Sequence, residues 1–142
     1  MSQAPRLFLR DLLDSALARV SGEACVRAAL TQEPLEGPVR VAAVGKAADT
    51  MMRGAMASLG CDFIQGLVIP KSGARYRPLL ADDKLRVVPA SHPVPDQSSL
   101  EAGRALVEFV SAVPAEETLL LLVSGGASSL AEVLVEGVAL DQ

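Results

Sequence analysis

Apolar residues recur at helical spacing in Leu7-Phe8-Leu9, Leu12-Leu13, Ala16-Leu17 and Val20, which predicts an opening amphipathic helix that ends near Gly22. A second, short helix is expected over Ala24 to Leu30, before Pro34 and the Gly37-Pro38 pair break the pattern. Val39 to Val44 is then a continuous apolar run with one interruption, Arg40, and reads as a first buried strand stopping at Gly45. Helical spacing returns from Ala47 to Leu59, with Gly60 as its stop. The Met51, Met52 and Met56 side chains on that helix suit core filling better than any ligand role.

The alternation continues. Phe63 to Ile69 reads as a second strand ending at Pro70-Lys71-Ser72-Gly73, and Leu85 to Val88 as a short third strand after a polar loop, at an edge. Ser98-Ser99-Leu100-Glu101 has the S-x-x-E form of a capping box and starts a helix that Pro114 ends. Leu119 to Val123 is five consecutive aliphatic residues and reads as a strand buried on both faces, as in a parallel sheet. Leu130 to Leu134 is expected to continue as a helix, and Val135 to Gln142 to hold a turn and the first residues of another. Strands and helices that alternate at this length imply right-handed βαβ crossovers. The fold expected is α/β and Rossmann-like: a mostly parallel sheet with helices on both faces, incomplete as it stands because the chain stops without a finished terminus.

Composition narrows the class without altering that picture. The chain has 142 residues, half of them hydrophobic but only 3% aromatic, enough for one domain whose sheet is covered by Ala- and Leu-rich helices. A net charge of −4 and the lack of a Lys/Arg cluster argue against nucleic acid. No apolar run approaches the roughly 20 residues that span a bilayer, so no membrane association is expected. Cys25 and Cys61 show no CxxC spacing and no apolar signal segment opens the chain, which favours a reducing, cytoplasmic setting. With His92 as the one histidine, no His-based metal site is expected.

The chemistry-bearing residues all follow strands. Ser124-Gly125-Gly126-Ala127-Ser128-Ser129 combines two glycines, which expose backbone N–H groups, with serine hydroxyls at a helix start. That combination can bind an anion such as phosphate, and the same turn also serves without a ligand. Gly45-Lys46 places a cation at the exit of the first strand, where ligands of parallel-sheet proteins bind. It is not a Walker A loop, because Arg40 stands where that motif has its first glycine and Ala47 where it has Ser or Thr. The alternative is a solvated lysine beside a helix start, a position the helix dipole slightly disfavours.

His92 sits in His92-Pro93-Val94-Pro95-Asp96, where two prolines stiffen the backbone and lower the entropy cost of fixing the ring. It could donate a hydrogen bond to an anion or transfer a proton; the plainer alternative is a loop histidine bonded to backbone. Asp96 is expected to cap the following helix. Lys71 could add a further cation to the same rim, although Lys-Ser-Gly is common in loops.

Three motifs in order carry a resemblance. They are Val44-Gly45-Lys46-Ala47, then His92-Pro93-Val94-Pro95-Asp96 with a Leu-x-Ala-Gly helix (Leu100, Ala102, Gly103), then Val123 to Leu130 with Glu136-Gly137 behind it. From Leu7 onward the chain resembles the type II glycerate kinases, the glycerate 2-kinases that in part carry the older name hydroxypyruvate reductase. The resemblance implies ATP-dependent phosphorylation of glycerate at its 2-hydroxyl, with ATP and Mg²⁺ as cofactors. It implies that Lys46 matches the catalytic lysine and that Ser124 to Ser129 belongs to the phosphate-binding region. Ala127 stands where many relatives carry a third glycine. By the same resemblance residues 1–142 form a partial N-terminal domain, and a second domain that closes the site is expected outside this chain. The fragment is then expected to be inactive alone and to expose an apolar face through which it could self-associate. The alternative function is a sugar-phosphate-binding or isomerase domain working without ATP; a third reading is a folded fragment that only dimerises.

Overall fold

Val39–Val44 (β1) and Phe63–Ile69 (β2) pair in parallel at the centre of a four-stranded sheet. The structure is a computed structural model that describes residues 3–73 and 82–140. Leu85–Val87 (β3) pairs with β2 and Thr118–Val123 (β4) with β1, so the order is β3-β2-β1-β4 and every pairing is parallel. Parallel strands need crossovers: Ala48–Leu59 (α3) joins the neighbours β1 and β2, and Gln97–Ser111 (α4) carries the chain from β3 at one edge of the sheet to β4 at the other. Gln3–Arg19 (α1) and Gly22–Gln32 (α2) precede the sheet, and Ala127–Leu130 (α5) follows it. The polar loop expected before β3 lies largely outside the described residues.

Alternation along β1 divides the core in two. Val39, Val41 and Ala43 pack with Met51, Met52, Ala55 and Leu59 of α3 and Val26 of α2. Ala42 and Val44 join Leu67, Ile69, Ala102, Phe109 and Leu130 in a second cluster. Helices therefore cover both faces of β1 and β2, as the α/β reading requires, and each large aliphatic side chain buried this way contributes about 1.5–3 kcal/mol. Met51 and Met52 are core residues, as their spacing suggests. Across the base of the sheet Arg40 donates to Gln65 at 2.8 Å and to Glu117, which ties β1 to β2 and to the approach to β4.

Three expectations are corrected. β4 is an edge strand, flanked by β1 alone among the described strands, and not one buried on both faces: Leu120 and Leu122 pack against the α3 side of the core, but Leu121 is 51% and Val123 61% exposed, because no described helix covers the face they share. The capping box of α4 is formed by Asp96 and Ser99, two residues earlier than the Ser98/Glu101 pair the pattern suggested; Asp96 accepts from the Ser98 N–H at 2.8 Å and Ser99 accepts from the Asp96 N–H at 3.2 Å. The helix expected from Leu130 to Leu134 stops at Leu130, and residues 138–140 form no helix. Tertiary contact explains that stop. Glu132 donates its N–H to the Ser99 carbonyl at 3.1 Å, and its backbone lies so close to Gly103 that a β-carbon there would sit 2.0 Å from the Glu132 oxygen. The segment is held extended across α4.

The apolar stripe of α1 forms as a helix but is not covered by the described residues: Leu7, Phe8, Leu9, Leu12, Leu13, Leu17 and Val20 are all more than half exposed.

Candidate functional site

Because all four strands run in one direction, their carboxyl ends share one edge of the sheet, and the turns leaving them gather there. The turns after β1 and β4 are bonded to each other. Lys46 donates its N–H to the Gly125 carbonyl at 3.0 Å, and the Ala47 N–H reaches the Ser124 hydroxyl oxygen, also at 3.0 Å. Gly45 donates to the Ile69 carbonyl at 3.2 Å, which adds the end of β2. At Gly45 φ is +124°, and a β-carbon would fall 2.2 Å from the Ser124 Oγ, so only glycine allows the two turns to approach this closely.

Gly126 has φ +92° and stands at the meeting point. A β-carbon built on it would lie 2.7 Å from His92 Cδ2, 2.9 Å from His92 Nε2 and 3.5 Å from Lys46 Cε. The exposed lysine and the half-buried imidazole, 46 positions apart in sequence, thus converge over one bare α-carbon. His92 is held by the turn after β3, in which the His92-Pro93 peptide is cis and Ser91 donates its N–H to the Ser98 hydroxyl at 3.0 Å. Its Nδ1 is buried with no hydrogen-bond partner among the described residues. Asp96 closes this turn as the α4 cap, and hydrogen bonds from the Ser98 hydroxyl and N–H hold its carboxyl below the usual carboxylate range.

The individual serines separate in role. Ser124 is occupied in joining the two turns, since its Oγ accepts from Ala47 and lies 3.5 Å from the Val44 carbonyl. Ser129 donates to the Gly126 carbonyl at 3.1 Å and so stabilises the turn itself. Ser128 is exposed, and no hydrogen bond among the described residues engages its hydroxyl. Ala127 opens α5, and among the described residues none but glycine has a positive φ, so a side chain there carries no backbone cost. Lys71 lies at the same edge but one strand further out, where its backbone bridges to Ala90; its side chain makes no hydrogen bond or ion pair among the described residues. Ala47, part of the first sequence motif but not marked there as a site residue, joins the group. Its contribution is a backbone N–H, and its place after Lys46 was the sole signal for it.

Taken together, one ammonium, one imidazole edge and glycine-rich backbone provide a setting for an oxyanion. Among the described residues no three His, Cys, Asp or Glu side chains gather to hold a metal ion, and no helix is long and apolar enough to cross a membrane.

Residues 8–142 match the family model described as a domain of unknown function, DUF4147. The chain is 33% identical over 132 residues to a D-glycerate 2-kinase from Thermotoga maritima, covering 93% of this chain and 31% of that protein. It is 32% identical over 107 residues to a glycerate 2-kinase from Pyrococcus horikoshii, covering 75% of this chain and 23% of that one. The crystal structure of the glycerate kinase from Thermotoga maritima superposes with a TM-score of 0.84 at 31% identity, over 99% of this chain and 33% of that one. The chain thus spans between about a quarter and a third of the length of these relatives.

Proposed function

The chain belongs to the DUF4147 family, and from that premise we propose that it is the N-terminal, Rossmann-like part of a glycerate 2-kinase, which transfers the γ-phosphoryl group of ATP to the 2-hydroxyl of glycerate and yields 2-phosphoglycerate. The observation that carries this reading is the convergence of Lys46 and His92 over Gly126. Phosphoryl transfer asks a protein chiefly for positioning and for charge to offset the transferring oxygens. Lys46 supplies that charge from a turn anchored at its own N–H, and the backbone of Gly125 to Ser129, with Ser128 Oγ, holds phosphate oxygens; the Ser124 N–H is already given to the Val44 carbonyl at 2.9 Å. His92 contacts the anion from the other side.

The relatives named glycerate 2-kinase support glycerate as the substrate and its 2-position as the acceptor. Mg²⁺ would arrive with the nucleotide, since the described residues gather no protein cage for it. Because the relatives are about three times longer, the complete reaction is assigned to a protein in which a second domain closes over this edge.

The test is turnover of glycerate with ATP and Mg²⁺ by the full-length product of the gene, with the phosphorylated carbon identified by ³¹P–¹H NMR. Phosphate on the 2-oxygen is the expected outcome; binding of a hexose phosphate by calorimetry with no ATP-dependent turnover would instead favour a sugar-phosphate-binding domain.

A further inference from the structure

The Nδ1 atom of His92 is buried without a hydrogen-bond partner among the described residues, while the Cδ2–Nε2 edge of the same ring faces Gly126 and the Lys46 chain. A neutral imidazole carries its one hydrogen on either nitrogen, and the surroundings choose. A hydrogen on Nδ1 would leave a buried N–H with no acceptor, one of the rarest defects in folded proteins. A hydrogen on Nε2 leaves only an unused acceptor in the interior and points a donor at the edge where Lys46 ends.

We propose that His92 is a fixed Nε2–H donor to an anionic oxygen, and that glycine at 126 is the aperture through which that oxygen reaches it. This deepens the phosphate-site reading and rests on it. Any side chain at 126 would occupy the space directly beside Nε2, within 2.9 Å. Glycine at this place therefore answers two needs, the positive φ of the turn and an open path to the ring. His92 then acts on the anion by donating, together with Lys46, and does not take the proton of a substrate hydroxyl, because the nitrogen facing the site already holds its hydrogen.

His92 is the one histidine of the chain, so ¹⁵N NMR of its imidazole in the 142-residue chain is unambiguous. The expected spectrum of the neutral ring has hydrogen on Nε2 and a bare Nδ1, and inorganic phosphate shifts Nε2 together with the Gly125–Ser129 amides. Hydrogen on Nδ1 overturns the proposal. Amide shifts without a change at Nε2 overturn it too, while leaving the phosphate site standing; if neither set moves, the phosphate site falls with it. Two variants give a second measure. His92→Gln places an amide N–H at the reach of Nε2 and keeps phosphate affinity within about threefold, whereas His92→Asn reaches only as far as Nδ1 and loses about tenfold or more, the size of one hydrogen bond to a charged group. The reverse order overturns the assignment.

Discussion

The Ser124 hydroxyl oxygen accepts the Ala47 N–H at 3.0 Å across 77 positions of sequence. One side chain at the end of β4 thereby closes the turn that presents Lys46, and the two halves of the candidate site are built as one piece. Ser124→Ala removes this acceptor from a partly buried N–H. The expected loss is about 1–2 kcal/mol in unfolding free energy, read by urea denaturation as a lower midpoint with an unchanged slope.

Lys46 is exposed and its side chain packs little, so Lys46→Ala is expected to leave stability within about 0.5 kcal/mol. In the full-length protein the same change is expected to lower kcat for glycerate phosphorylation by about 10²–10³-fold, the usual cost of deleting one group that offsets developing charge. Unchanged turnover would remove Lys46 from the mechanism.

At Gly103 two effects oppose each other. Alanine is a better helix former than glycine by up to about 1 kcal/mol, yet its β-carbon would lie 2.0 Å from the Glu132 oxygen, a backbone atom. Backbone cannot rotate away, so displacement of the segment after α5 wins and a net loss of about 1–3 kcal/mol is expected from Gly103→Ala. Thermal unfolding checks the sign.

Asp96 supplies a pH dependence. Its folded-state carboxyl titrates below the ordinary value because the Ser98 hydroxyl and N–H bond to the ionised form. Its contribution is therefore complete above the unfolded-state value near 4 and fades as pH falls through the lower folded-state value. Asp96→Asn keeps an acceptor for the cap but removes the titration, and should flatten the acid limb of a stability profile measured between pH 6 and 2. An acid limb identical to that of the parent chain would exclude Asp96 as its source.

Much of the fold was legible in one dimension. β1 and β2 begin and end where their apolar runs do, because a strand covered on both faces has to be apolar throughout and glycine or proline then stops it. Local chemistry also placed Asp96 as a cap, but it did not choose between Asp96 and Ser98, two good caps two residues apart. The order of the motifs was enough to suggest the family, which the comparisons bear out. The sequence could place Lys46, His92 and Gly126 only one by one after strands.

What the sequence determined by itself is what depends on neighbours along the chain: the elements, their alternation, and the parallel sheet that puts every turn at one edge. The tertiary structure decided what depends on neighbours in space. Leu119 to Val123 has the same apolar run whether one strand flanks it or two, so its edge position is not written in it. Leu130 to Leu134 could be helical alone, but a hydrogen bond to Ser99 and the gap over Gly103 draw it out straight. Lys46 and His92 meet over Gly126 because β1, β3 and β4 return to the same edge, and a distance set by chain return cannot be read from spacing in the sequence.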